Sequence, residues 1–89
     1  MEELLKQIGI EPNLTKSDEG SYIMDISDST EYGKIYSKLD RSDLVQEEAL
    51  SSQVTYDTSS IQYTADKYII TLLADFKQDE YKLTIRLRR

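Results

Sequence analysis

The chain has 89 residues with no His, Cys or Trp, and its 17 Asp and Glu outnumber 11 Lys and Arg for a net charge of −6. The missing thiols and imidazoles exclude disulfide staples and remove the commonest catalytic nucleophile and base. The acidic excess disfavours direct contact with nucleic acid, whose phosphates call for Lys and Arg, and with anionic membrane surfaces.

The length suits one small domain, 1–89, burying about two-thirds of its extended surface. The opening MEELLKQIGIEP lacks a basic segment followed by an apolar run, so it does not read as a signal peptide. No apolar run nears the ~18 residues of a membrane span. A cytoplasmic location is expected.

Residues 2–8 read as a short helix, with Glu2 and Glu3 favoured by the dipole at its N-terminus and Leu4, Leu5 and Ile8 on one face. Gly9 caps it and Pro12 ends the segment. Residues 13–27 read as a hairpin, its turn at Ser17-Asp18-Glu19-Gly20 and its second strand Tyr22 to Ile26. Asp28 and Glu31 then have capping-box spacing, and Tyr32, Ile35, Tyr36 and Leu39 form a helical stripe over about 29–41. Residues 40–52 are acidic and fit either a helical turn or a linker.

The C-terminal third alternates as strands do: Tyr81, Leu83, Ile85 and Leu87 between polar residues, and Tyr68, Ile70, Leu72, Ala74 and Phe76 on one face. A loop over 77–80 pairs Phe76 with Tyr81 and Leu72 with Ile85. A turn around Ala65-Asp66 pairs Tyr63 with Tyr68. A loop over 57–60 pairs Tyr56 with Ile61 and Val54 with Tyr63. The expected fold is therefore α+β: a two-layer sandwich whose antiparallel sheet has four to six strands. A meander over 53–88 makes up its C-terminal part, packed by two short helices at about 2–8 and 29–41.

Residues 17–66 hold eleven carboxylates and three basic groups, and residues 67–89 hold six basic and three acidic groups. This predicts an acidic side and a basic edge strand, the latter carrying Lys82, Arg86, Arg88 and Arg89 as a solvated strand face. The stretch Asp25 to Tyr36 imitates a calcium loop, but Thr30 stands where the loop needs Gly and Tyr36 where it needs Glu. No metal or cofactor is expected, nor an enzyme, since no Ser or Thr has an identifiable activating partner. Most of the seven Tyr are expected in the core with a hydroxyl at its rim, the others on a protein-binding surface.

The function expected is an acidic protein-binding module. Its carboxylates would stand where phosphates sit in a basic, nucleic-acid-binding site of a host protein. The candidate groups are Asp18, Glu19, Asp25, Asp28 and Glu31, with Asp40, Asp43, Glu47 and Glu48 as a second cluster. Small size and composition point to a phage or mobile-element inhibitor. The alternative is a structural or assembly subunit that self-associates, as a homodimer, through a strand edge.

The element order, with Gly20-Ser21-Tyr22-Ile23-Met24 followed by the Asp28-Glu31 helix start, resembles that of the phage uracil-DNA glycosylase inhibitors. They too are short, acidic chains. The resemblance covers element order; the acidic-Ser pair of that family appears here as Glu19-Gly20-Ser21, interrupted by Gly. It implies an inhibitor that occupies a DNA-binding channel.

Overall fold

The computed structural model describes residues 2–11, 13–17 and 19–88. Helix α1 (Glu2–Ile8) is too short to stand alone and is fixed at its C-terminus. Gly9, at φ +95°, donates to Lys6, and Ile10 donates back to Leu5 at 2.8 Å. This left-handed closure tucks Ile10 and Leu5 together into the core. Helix α2 (Ser29–Arg41) starts where the Asp28 carboxylate accepts the Glu31 N–H at 2.8 Å. Ile35 and Leu39 are its buried residues, and Lys38 Nζ donates to the Gly9 carbonyl at 2.6 Å, tying the two helices together.

Seven strands form one antiparallel sheet: β1 (Thr15–Lys16), β2 (Tyr22–Ile26), β3 (Gln46–Glu47), β4 (Gln53–Val54), β5 (Thr58–Ala65), β6 (Tyr68–Asp75) and β7 (Glu80–Leu87). Their order is β1-β2-β7-β6-β5-β3, with β4 also on the outer edge of β5. Met24, Ile26, Ile61, Tyr63, Ile70, Leu72, Leu83 and Ile85 line the inner face and make one core with α1 and α2. Among the described residues the opposite face has no helix and carries Ile23, Ile69, Leu73 and Thr71, half-buried, among Lys82 and Arg86. The fold is the expected α+β two-layer arrangement with a C-terminal meander, and both helices fall on their expected spans.

The registers differ from expectation by two residues or four. Ala74, not Phe76, opposes Tyr81, and Leu72 opposes Leu83; Ala65 opposes Tyr68, and Val54 opposes Ser59. An even slip keeps every side chain on its face, so matching apolar to apolar cannot detect it. Turn chemistry decides instead. Asp66 (φ +55°) and Asp79 (φ +54°) both take the left-handed conformation that Asp tolerates, giving a two-residue loop at 66–67 and a four-residue loop at 76–79. Val54 and Tyr56 lose their expected core places because Thr55 donates to the Thr58 carbonyl at 2.8 Å and closes a tight turn at the end of β4. Phe76 lies in the turn after β6, where its ring meets Tyr32 edge-on at 5.9 Å.

A second correction concerns the basic strand. β7 lies between β2 and β6, so Lys82, Arg86 and Arg88 do not guard a sheet edge; Arg89 lies outside the described residues. Residues 40–52 resolve into the end of α2, strand β3 and a 3-10 turn at Ala49–Ser51.

Candidate functional site

The two edges of the sheet show what this chain leaves available. On the outer edge of β5, β3 and β4 together answer one strand, Gln46 opposing Thr64 and Gln53 opposing Ser60. The 3-10 turn interrupts that cover opposite Gln62, and Ser52 closes the gap: its hydroxyl accepts the Gln62 N–H at 3.1 Å and donates to the Glu48 carbonyl at 2.9 Å. The Gln62 carbonyl accepts from the Glu48 N–H at 2.8 Å. With its backbone satisfied in this way, the segment 46–57 can hold its side chains outward. Leu50, Val54 and Tyr56 are 103%, 70% and 96% exposed. From Ser42 to Asp66 the chain carries Asp43, Glu47, Glu48, Asp57 and Asp66 but no Lys or Arg.

The candidate carboxylates do not gather into two clusters. Asp18 lies outside the described residues. Glu19 borders a depression it shares with Arg86 and Arg88. Asp25 opposes Lys82 across the β2–β7 ladder. Asp28 is exposed but engaged as the cap of α2, and Glu31, exposed in the first turn, lines a groove with Asp25. Asp40 and Glu47, from different elements, both lie near buried Tyr63: burial holds that phenol's pKa far above its ordinary value, and Tyr36, Glu47 and Asp40 push it further in the same direction. Asp43 shares a depression with Asp66 and Arg88. Glu48 is half-buried, its Oε1 accepting from the Thr64 hydroxyl at 3.5 Å.

That groove, about 650 Å³, runs between the segment after α1, the edge of β2 and the start of α2. Ile10, Met24, Ile26 and Ile35 supply its apolar part, and Glu11, Asp25, Glu31 and Lys38 its charge. It exists because β1 pairs with β2 only through Thr15–Ile23 and Lys16–Tyr22. Asn13, the next residue placed to exchange backbone hydrogen bonds with β2, donates instead to Glu11 at 3.0 Å, and the chain leaves the sheet.

Sequence reasoning missed Glu11, Leu50 and Ser52. The absence of any Lys or Arg from Ser42 to Asp66 was a signal for Leu50; nothing local marks Ser52 among the many serines. Of the seven Tyr, Tyr63 and Tyr81 are buried and Tyr22, Tyr32 and Tyr68 pack against the core, while Tyr36 and Tyr56 are exposed.

Among the described residues no three His, Cys, Asp or Glu come together as a metal-holding group, and no helix is long and apolar enough to cross a membrane. Comparison with protein-family models, with curated proteins and with solved structures gave no match to this chain, so the likeness in element order to the glycosylase inhibitors carries no residue role across.

Proposed function

We propose that the chain is a non-enzymatic, acidic protein-binding module, an inhibitor of the phage or mobile-element kind that covers a basic, nucleic-acid-binding site on a host protein. The observation that supports this reading best is the segment 46–57. Three large apolar side chains stand in solvent there, inside the longer stretch from Ser42 to Asp66 that has five carboxylates and no cation. Desolvated aromatic and aliphatic anchors inside a charged rim are how protein interfaces combine affinity with steering.

The test is competition. Purified basic DNA-binding proteins from the host are loaded on a labelled duplex, and the chain is titrated in at rising salt. The expected result is displacement that weakens steeply between roughly 0.05 and 0.5 M salt, as screening shortens the reach of the carboxylates. Displacement that is insensitive to salt, or no binding to any basic protein, refutes the reading. The alternative, self-association through an edge, is favoured by one observation, the incomplete pairing of β2. It requires a mass in solution that rises with concentration, and a strict monomer at high concentration excludes it.

A further inference from the structure

Among the described residues the edge of β2 is left open at Asp25, where that of β5 is closed. Ser17 donates to the Ser21 carbonyl at 2.7 Å, so Ser21, and by the alternation of an antiparallel strand Ile23 and Asp25, turn their N–H and C=O groups outward from β7. Thr15 answers Ile23. Among the described residues nothing bonds the N–H or the C=O of Asp25. Natural sheets blunt such an edge with Lys, Pro, a bulge or a covering loop. Here Met24-Asp25-Ile26 has no Lys and no Pro, its one charged side chain is Asp25, and among the described residues the covering chain turns away beside the groove of about 650 Å³.

We propose that this groove takes an extended, basic segment of a partner protein, which adds to the sheet as a strand along Met24–Ser27. Its backbone pairs with Asp25, and a Lys or Arg side chain lies across Ile35 with its charge toward Glu11 and Glu31. The apolar floor suits the long stem of such a side chain, and the carboxylates suit its head. The sign of the charge follows from the lining. Lys38 is the one cation among the described lining residues, and its Nζ is held on the Gly9 carbonyl at 2.6 Å. The inference rests on the reading of the chain as an acidic protein-binding module only in taking the occupant to be a partner protein; the open edge and the charge of the lining are independent of it.

Amide hydrogen exchange on the whole chain tests the proposal. The probe is a capped peptide of alternating valine and lysine, about six residues long, the usual length of a strand. In the free protein the Asp25 N–H exchanges quickly while those of Met24 and Ile26 are protected. Adding the peptide slows Asp25 selectively, and a valine–glutamate peptide does not. Asp25→Pro removes the outward donor without touching the ladder to β7 and abolishes the effect. Glu11→Gln with Glu31→Gln weakens binding by about tenfold at low salt, within the range that two exposed ion pairs supply.

The proposal is overturned by protection of Asp25 in the free protein, by resonance changes from the peptide confined to 46–57, or by equal binding of both peptides. Protection that appears without peptide as protein concentration rises also overturns it and assigns the edge to a second copy. The competition test reads a whole DNA-binding protein, so it stands or falls separately from the peptide result.

Discussion

Ser52 carries no charge, yet its hydroxyl bonds two backbone groups, and the Glu48 carbonyl alone has a second donor, the Ser51 N–H at 3.0 Å. The Ser52 hydroxyl takes the Gln62 N–H and serves the Glu48 carbonyl at the point where β3 has ended and β4 has not begun. Ser52→Ala leaves a half-buried N–H with no protein partner and is expected to cost about 1–2 kcal/mol in urea unfolding. A loss below about 0.3 kcal/mol would show that water replaces the hydroxyl at no cost. Tyr63 is the second residue with a distinct signature. Its folded pKa is raised above 10.0 chiefly by burial, so the folded state holds its proton more tightly than the unfolded chain does. Its contribution to stability is complete below about pH 10 and is lost as pH rises above it. Tyr81 shifts the same way, because its hydroxyl donates to Asp79 at 2.9 Å. Tyr63→Phe should therefore flatten the alkaline fall of the melting temperature above pH 10, with Tyr81 accounting for part of what remains. An unchanged alkaline limb would mean that the phenol reaches water freely.

Among the elements, the helices were legible because their signals are local. Asp28 sits one residue before α2 and bonds three residues on, and Gly9 follows α1 directly, so both bounds can be read from neighbours. Only half of the anticipated capping box forms, however: the Asp28 carboxylate caps, and the Glu31 carboxylate faces the groove. Asp28→Ala should lose about 1 kcal/mol of stability, whereas Glu31→Gln should lose almost none and weaken basic-peptide binding. Equal losses from the two substitutions in thermal melts would restore the reciprocal box. Strand faces were legible for the same reason, since alternation is local. Register was not, because Asp66 and Asp79 adopt positive φ where Gly or Asn is the more familiar marker. The outward stance of Leu50, Val54 and Tyr56 was hidden too: it depends on Thr55 meeting Thr58 and on Ser52 meeting Gln62, which no alternation rule contains. Leu50→Asp with Tyr56→Ser should change stability by no more than about 0.5 kcal/mol while abolishing displacement of DNA from the partner. A large loss of stability would place those side chains in a packed environment.

For the whole molecule, charge separates less cleanly than the sequence suggested. Glu19 borders Arg86 and Arg88, Asp25 opposes Lys82, and Asp43 shares a depression with Arg88, so the basic last third balances part of the acid it was expected to oppose. The candidate site was therefore only partly legible. Asp25 and Glu31 do line one groove, but Glu11 completes it through the turn after α1, a tertiary fact.

The central place of β7 has a consequence for how the molecule is made. β2 is laid down early, at residues 22–26, yet its full-length neighbour is residues 80–87. While the chain is being synthesised, β5 and β6 can zip together across their two-residue loop within microseconds, the timescale of an isolated hairpin. Met24 and Ile26 must wait until β7, more than fifty residues further on, has left the ribosome. Until then α1 and α2 have only part of a floor to settle on. Nucleation should lie in the late hairpins: substitutions at Ile70 or Leu83 should slow refolding, and Ile26→Val should chiefly hasten unfolding.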